Sequence, residues 1–254
     1  CVSIFNVVKQ KQKKIFLLYQ KKKLIKYWRN TELIPKKSKV SVREISKKIA
    51  KEMIVKHHYS HAWTSCRYAL GIFYEMDNEH AFFDEKEEKL AGVAVYGYPV
   101  GARAAASISE ELKPKQALEL TRLFIHEEYG KNMESISISK TFKWLKQYAD
   151  DIKVLISYAD PGQEHIGGIY QATNWMYQGY NLGLMDNYGI QLEPDGKWIH
   201  SRTVFEMFGS GNLEHLKSRI GHTFWRRKEP RKHRFFYLLG SKSQKKKVVK
   251  TLKH

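Results

Sequence analysis

Residues 157–180 read SYADPGQEHIGGIYQATNWMYQGY, directly behind the apolar run Val154-Leu155-Ile156. The apolar run, halted by Asp160-Pro161-Gly162, predicts a strand over Val154 to Ala159 and then a sharp turn. The pattern resumes at two glycines, and a short helix is expected over Gly167 to Trp175. A plain crossover needs neither an aspartate at the strand end nor a Gly-Gly-aromatic helix start. Open α/β sheets gather ligands at the carboxyl ends of their strands, which is where Asp160 falls.

Working outward, Leu118 to His126 reads as another strand, EEYGKN as a loop, and Glu134 to Tyr148 as a helix with Ile136, Phe142, Leu145 and Tyr148 among its apolar positions. Strand and helix alternate across this region, which predicts an α/β fold with at least one parallel pair, a mixed central sheet flanked by helices. Earlier in the chain, strands are expected over Lys39 to Ile45, Tyr68 to Tyr74 and Leu90 to Tyr98, the last two split by the acidic loop DEKEEK. Ser46 is a candidate cap for a helix over KKIAKEMIVKHHYS. Later, Thr203 to Phe208 and Phe235 to Leu239 read as strands and Lys245 to Lys253 as a basic helix. Residues 1–40 form a basic arm and 41–254 the folded domain.

The free N–H groups at a helix start make an anion site, so the loop and start of the 134–148 helix suit a pyrophosphate such as that of an acyl-CoA. Candidate cofactor residues there are Phe124, Ile125, Gly130, Lys131, Asn132 and Ser135, the last also a candidate cap. Arg122 interrupts an apolar strand. Strict alternation puts it on one face with Leu120 and Phe124, and a cation there needs a partner: Glu119, Asp160 or an anionic ligand. In HHYSH, His57 and His61 share a face if the helix runs through them, a spacing compatible with a metal pair.

The chain carries 45 Lys and Arg against 26 Asp and Glu, a formal net charge of +19. Such a balance favours a polyanion, and double-stranded DNA is the expected partner. Two cysteines build no disulfide framework or zinc set and fit a reducing cytoplasm. No run is long and apolar enough for a membrane span, and Ile15 to Tyr19 is short and lysine-flanked, so no membrane association is expected.

Several pieces together carry a family resemblance. They are His58-Tyr59-Ser60, Glu119-Leu120-Thr121-Arg122-Leu123, Ser157-Tyr158-Ala159-Asp160-Pro161, then His165, Gly167, Ile169-Tyr170-Gln171-Ala172, Asn174 and KHRFFYLLG from Lys232. In these the chain resembles the Mom family of phage DNA-modification proteins, over roughly residues 43–254. The order of elements, with Trp175, Gly179 and Tyr180, resembles the wider GNAT acyltransferase superfamily. The resemblance implies a GNAT-like fold and conversion of adenine in DNA to an N6-carbamoylmethyl form, which shields phage DNA from host restriction. It implies an acetyl-CoA or related acyl-CoA donor, with Asn174 joining the cofactor residues, and extends to iron as a cofactor candidate.

On that resemblance the catalytic candidates are His58, Tyr59, Arg122, Asp160 and Tyr170. Asp160 is a base or amine anchor, or else a helix cap; Tyr170 protonates a leaving thiolate, or else fills the core. Tyr59 stacks on or bonds to an extruded adenine. Phosphate contacts are expected from Arg103, Arg226, Arg227, Lys228, Arg231 and Lys232, each neutralised phosphate adding about −0.9 to the salt slope. The rival readings are a GNAT acetyltransferase on a protein or small amine, and a non-catalytic DNA-binding protein.

Overall fold

The computed structural model describes residues 35–76, 87–101, 103–163, 165–180 and 187–252. The expected basic arm lies almost wholly outside the described residues. The chain sorts into two compact units, one built from the chain up to Val154 with Leu239–Leu252, the other from Leu155–Leu238.

The first unit is an antiparallel sheet covered on both faces. β1 (Val40–Glu44) pairs with β2 (Tyr68–Met76), β2 with β3 (Glu87–Gly97), and β3 with β4 (Ala117–Ile125). Helix α1 (Lys47–His57) starts where expected, with the Ser46 hydroxyl accepting from the Ile49 amide at 3.3 Å. Its Ala50 and Ile54 pack on Ala69, Val93 and Val95. Helix α2 (Met133–Tyr148) meets the alternate residues: the Tyr96 hydroxyl bonds Thr141 at 2.7 Å, and Tyr68 rests edge-on against Trp144. Because side chains alternate along a strand, α1 and α2 lie on opposite faces. This explains why β3 is fully buried from Ala91 to Gly97, as sheets covered on both sides are.

Two expectations need correcting in this unit. Half of the acidic loop is strand: Glu87, Glu88 and Lys89 begin β3, while 84–86 lie outside the described residues. Glu88 accepts from Arg43 at 2.6 Å and Ser41 at 2.8 Å, bonds that hold its carboxyl below the usual range. Strict alternation along β4 also fails. Between Val95 and Tyr96 the pairing steps from Arg122 to Leu120, leaving Thr121 as an extra residue. This β-bulge turns Leu120 to Tyr96's face and leaves Arg122 and Phe124 on the α1 face.

In the second unit β5 (Val154–Ala159) begins at the boundary and has the expected bounds. The short helix α3 is Gly168–Ala172, ending before Trp175, and β6 (Met176–Tyr180) follows. A separate ribbon pairs β7 (Tyr188–Gln191) with β8 (Trp225–Lys228). Between its strands lie two helices, α4 (Ser201–Phe208) and α5 (Leu213–Ile220). The expected strand over Thr203 to Phe208 is therefore helix: His200 caps the Arg202 amide, Gly209 closes the end at φ +77°, and Val204 packs with Ile190 and Leu216. β9 (His233–Leu238) pairs antiparallel with β6, and β5, β9 and β6 are neighbours in that order. The chain returns to the first unit through α6 (Lys242–Lys250), where the Leu239 amide bonds the Lys153 carbonyl at 2.8 Å. The architecture is α/β, as expected.

Gly167 holds α3 against β9. It sits at φ +85°, and a Cβ there would lie 2.4 Å from the Phe235 ring. Both the backbone conformation and the contact exclude a side chain. Gly167→Ala is expected to cost about 2–3 kcal/mol and lower the melting temperature by roughly 5–10 °C. Gly168→Ala, with nothing within 4 Å of the added carbon, stays within about 1 kcal/mol of the parent. Thermal unfolding of the two variants side by side checks this.

Candidate functional site

The HHYSH segment begins as α1 ends. His57 is the last helical residue, His58 is extended at ψ 140°, and His61 sits at φ 44°. His57 and His61 therefore do not share a helical face, the condition on which their i, i+4 spacing is compatible with a metal pair. The His61 ring bonds the Val55 carbonyl, and His57 stacks on Phe124 at 5.4 Å and meets His126 edge-on at 5.0 Å. Burial and the neighbouring His126 lower the His57 pKa.

His58 is buried. Its Nδ1 accepts the Ser60 amide at 3.1 Å and lies 2.8 Å from the Ser60 hydroxyl, which leaves the ring proton on Nε2. Its ring is 4.2 Å from that of Tyr59, which is 55% exposed. Arg122 reaches the same segment. Its Nε donates to the Ala62 carbonyl at 3.2 Å and an NH1 proton goes to Thr121 O at 2.7 Å. Burial depresses its pKa, opposed by the nearby Tyr59 and Glu119. Among the described residues Arg122 forms no ion pair; it is a cation satisfied by carbonyls. The structure thus brings His58, Tyr59, Arg122 and Phe124 together.

The anion loop is in the same unit. After a turn over Glu127–Tyr129, Gly130 at φ 85° and Asn132 at φ 68° swing the chain into α2. The Asn132 side chain makes no cap, and the Ser135 hydroxyl donates back to the Asn132 carbonyl at 2.9 Å. The amides at the start of α2 are therefore left without a side-chain cap, beside exposed Lys131. Ile125 is buried against Gly92 of β3, where a Cβ would strike the Phe124 carbonyl at 2.3 Å. Arg103 is exposed.

The second unit holds the remaining candidates. Asp160 Oδ1 accepts the Gly162 amide at 2.9 Å, an Asx turn, and Oδ2 pairs with Lys232 at 3.0 Å. A candidate base and a candidate phosphate contact are thus partners. Tyr170 is buried between Trp175 and Phe235, and the Ser157 hydroxyl donates to its oxygen at 2.7 Å. Asn174 is exposed at φ 59°. Arg226, Arg227 and Lys228 lie along the exposed β8, and Arg231 is exposed beyond it. Sequence reasoning missed Ser157, Ser60 and His126 as partners of site residues. Ser157, a hydroxyl in an otherwise apolar buried run, was the one with a visible signal.

Residues 39–254 match the model of the Mom protein family. The methylcarbamoylase Mom of Escherichia phage Mu is 27% identical over 164 residues, 64% of this chain and 61% of that protein. The chain therefore spans about three fifths of the length of the curated relative it matches. Among solved structures, a spermidine N-acetyltransferase of Vibrio cholerae in complex with CoA and spermine is 8% identical, over 80% of this chain and 96% of that one, at a TM-score of 0.39. A ribosomal-protein-S5-alanine acetyltransferase of Vibrio fischeri is 12% identical over 79% and 93%, at 0.40. These last two likenesses are too distant to build on.

Arg122→Met keeps the bulk and removes the donors. The Ala62 carbonyl then loses its charged partner, and the turn closed by His61 N–H to His58 O opens more often. Amide exchange at His61 is expected to rise about tenfold, with little change in α2. Hydrogen-exchange mass spectrometry reads both segments at once.

Proposed function

The chain belongs to the Mom protein family, and from that premise we propose that it is a transferase that modifies adenine in DNA at N6. The product is of the carbamoylmethyl type, which protects phage DNA from restriction. One observation carries the proposal: the family match over 39–254, whose phage Mu relative is called a methylcarbamoylase. The +19 charge supports a polyanionic substrate.

The start of α2 suits the pyrophosphate of an acyl-CoA. Its amides carry no side-chain cap, Gly130 and Asn132 give the backbone the required turn, and Lys131 adds charge. Phe124, Ile125, Ser135 and Asn174 complete the candidate cofactor residues. When bound, such a donor would supply an activated acyl group whose CoA thiol leaves. Attack of N6 on the thioester carbonyl itself would give an N6-acyl adenine, so the carbamoylmethyl product would need its N–CH2 bond made at the acyl α-carbon and its amide supplied by a second nitrogen donor. Iron is a different matter: among the described residues no three His, Cys, Asp or Glu side chains gather to hold a metal ion, so no step runs through it.

The adenine amine is a weak nucleophile because its lone pair is delocalised into the ring, so its proton must leave as the new bond forms. In a duplex N6 is also paired, and extruding the base costs a few kcal/mol, offset by stacking and phosphate contacts. Exposed Tyr59 stacks on the purine, steadied by His58 behind it and Arg122 beside it. In the second unit Asp160 is the candidate base. Its partner Lys232 is a phosphate contact, so a DNA phosphate that binds Lys232 leaves Oδ2 open to accept a proton. The Ser157 hydroxyl donates to the Tyr170 oxygen, and the Tyr170 hydroxyl is the proton source for a leaving thiolate in this reading. Arg103, Arg226, Lys228 and Arg231 contact the DNA backbone.

Co-expression with a plasmid, digestion to nucleosides and mass spectrometry tests the proposal. A heavier deoxyadenosine is expected with the parent chain. Asp160→Asn and Tyr170→Phe each abolish it while plasmid binding stays nearly intact. Unmodified deoxyadenosine from folded parent protein contradicts the proposal.

A further inference from the structure

The β7–β8 ribbon carries an arrangement that backbone binding alone does not call for. Ile190 points to α4 and α5, where it packs with Val204 and Leu216. Tyr188 alternates onto that face, and so does Arg226, which lies opposite Ile190 in the register. The other face therefore bears Trp225 and Arg227, with Gly189 directly across from Arg227. Gly189 has no side chain, so Arg227 extends over β7 to the Trp198 ring, 4.2 Å from its centroid. Trp198 belongs to this face because its neighbour Ile199 bridges to Ile190. Trp225 is 41% exposed beside them. Neither Arg226 nor Arg227 forms an ion pair among the described residues; nearby Glu229 is taken by Ser201 and His200.

A guanidinium held over a ring loses little further freedom on binding, yet it keeps its N–H edge for a planar acceptor. Phosphate needs no such preparation, since flexible lysines serve it. A bidentate acceptor in a fixed plane does need it, and the guanine O6/N7 edge in the major groove is one. A two-stranded ribbon is also one of the elements that groove admits. We propose that the outer face of the β7–β8 ribbon reads DNA sequence: Arg227 bonds a guanine edge near the target adenine, and Trp225 makes apolar contact with a neighbouring base. This rests on the reading that double-stranded DNA is the substrate, and it moves Arg227 from backbone contact to specificity. Arg226, stacked on Tyr188 at 3.7 Å on the opposite face, remains a backbone contact.

The test is repeated selection of bound sequences from duplex DNA with a randomised centre, using the purified full chain. Arg227→Lys and Arg227→Gln are compared with the parent and with Arg226→Ala, each checked for its melting transition. The parent enriches a pattern with a fixed G·C pair. Both Arg227 variants lose preference at that pair by about tenfold, whereas Arg226→Ala weakens all sequences evenly. A parent that enriches no pattern, or Arg227 variants that retain the parental pattern, overturns the proposal. The nucleoside assay runs in parallel. Arg227-dependent preference without modified adenine leaves this inference standing and removes the enzymatic reading; modified adenine without such preference does the reverse.

Discussion

A guanidinium in an apolar strand has to be held by something, and in this chain backbone carbonyls hold it. Arg122 donates to Thr121 and Ala62, and the bulge at Thr121 is what keeps it on the α1 face. From that constraint much of the first unit follows. The segment after α1 is tied to β4, His58 is buried beside Tyr59, and Tyr59 is left facing solvent near a cation that forms no ion pair among the described residues, though Glu119 lies close enough to act on it. A charge partly dehydrated without an ion pair is costly unless its N–H groups are hydrogen-bonded, and the two carbonyls meet that need.

The second unit solves a different problem by close approach. Gly167 lets α3 sit on Phe235, which buries Tyr170 and brings its oxygen to Ser157. Asp160 is held at the strand end by the Gly162 amide and by Lys232. These contacts tie the residues of SYADP and IYQA to one another, which gives a physical reason for that stretch to read as a block.

Local signals carried much of this into the sequence. The apolar run ended by Asp-Pro-Gly placed β5 to the residue, and Ser46 marked the start of α1 through its hydroxyl. Signals failed where a distant partner decides. Thr203 to Phe208 has β-prone residues, but packing of Val204 on Ile190 and Leu216 makes it helix. His57 and His61 looked like a helical pair because nothing local shows that the helix ends between them. The bulge at Thr121 is set by cross-strand pairing, so alternation misassigned Leu120. Site residues named from the family resemblance could be placed one by one. Ser60 is a local partner two residues from His58, and Ser157 left a trace as a hydroxyl in an apolar run, but that it meets Tyr170, and that Lys232 meets Asp160, are pairings that only three dimensions supply.

The central claim is that an adenine leaves the double helix to meet Tyr59 beside Arg122. It is tested most directly by affinity for a duplex with a single A·T pair, compared with the same duplex whose adenine faces an abasic position. Since pairing no longer has to be broken, the parent protein should bind the second about 10–100-fold more tightly, and Tyr59→Ala should erase the difference. Equal affinity of the parent protein for both duplexes would contradict the account.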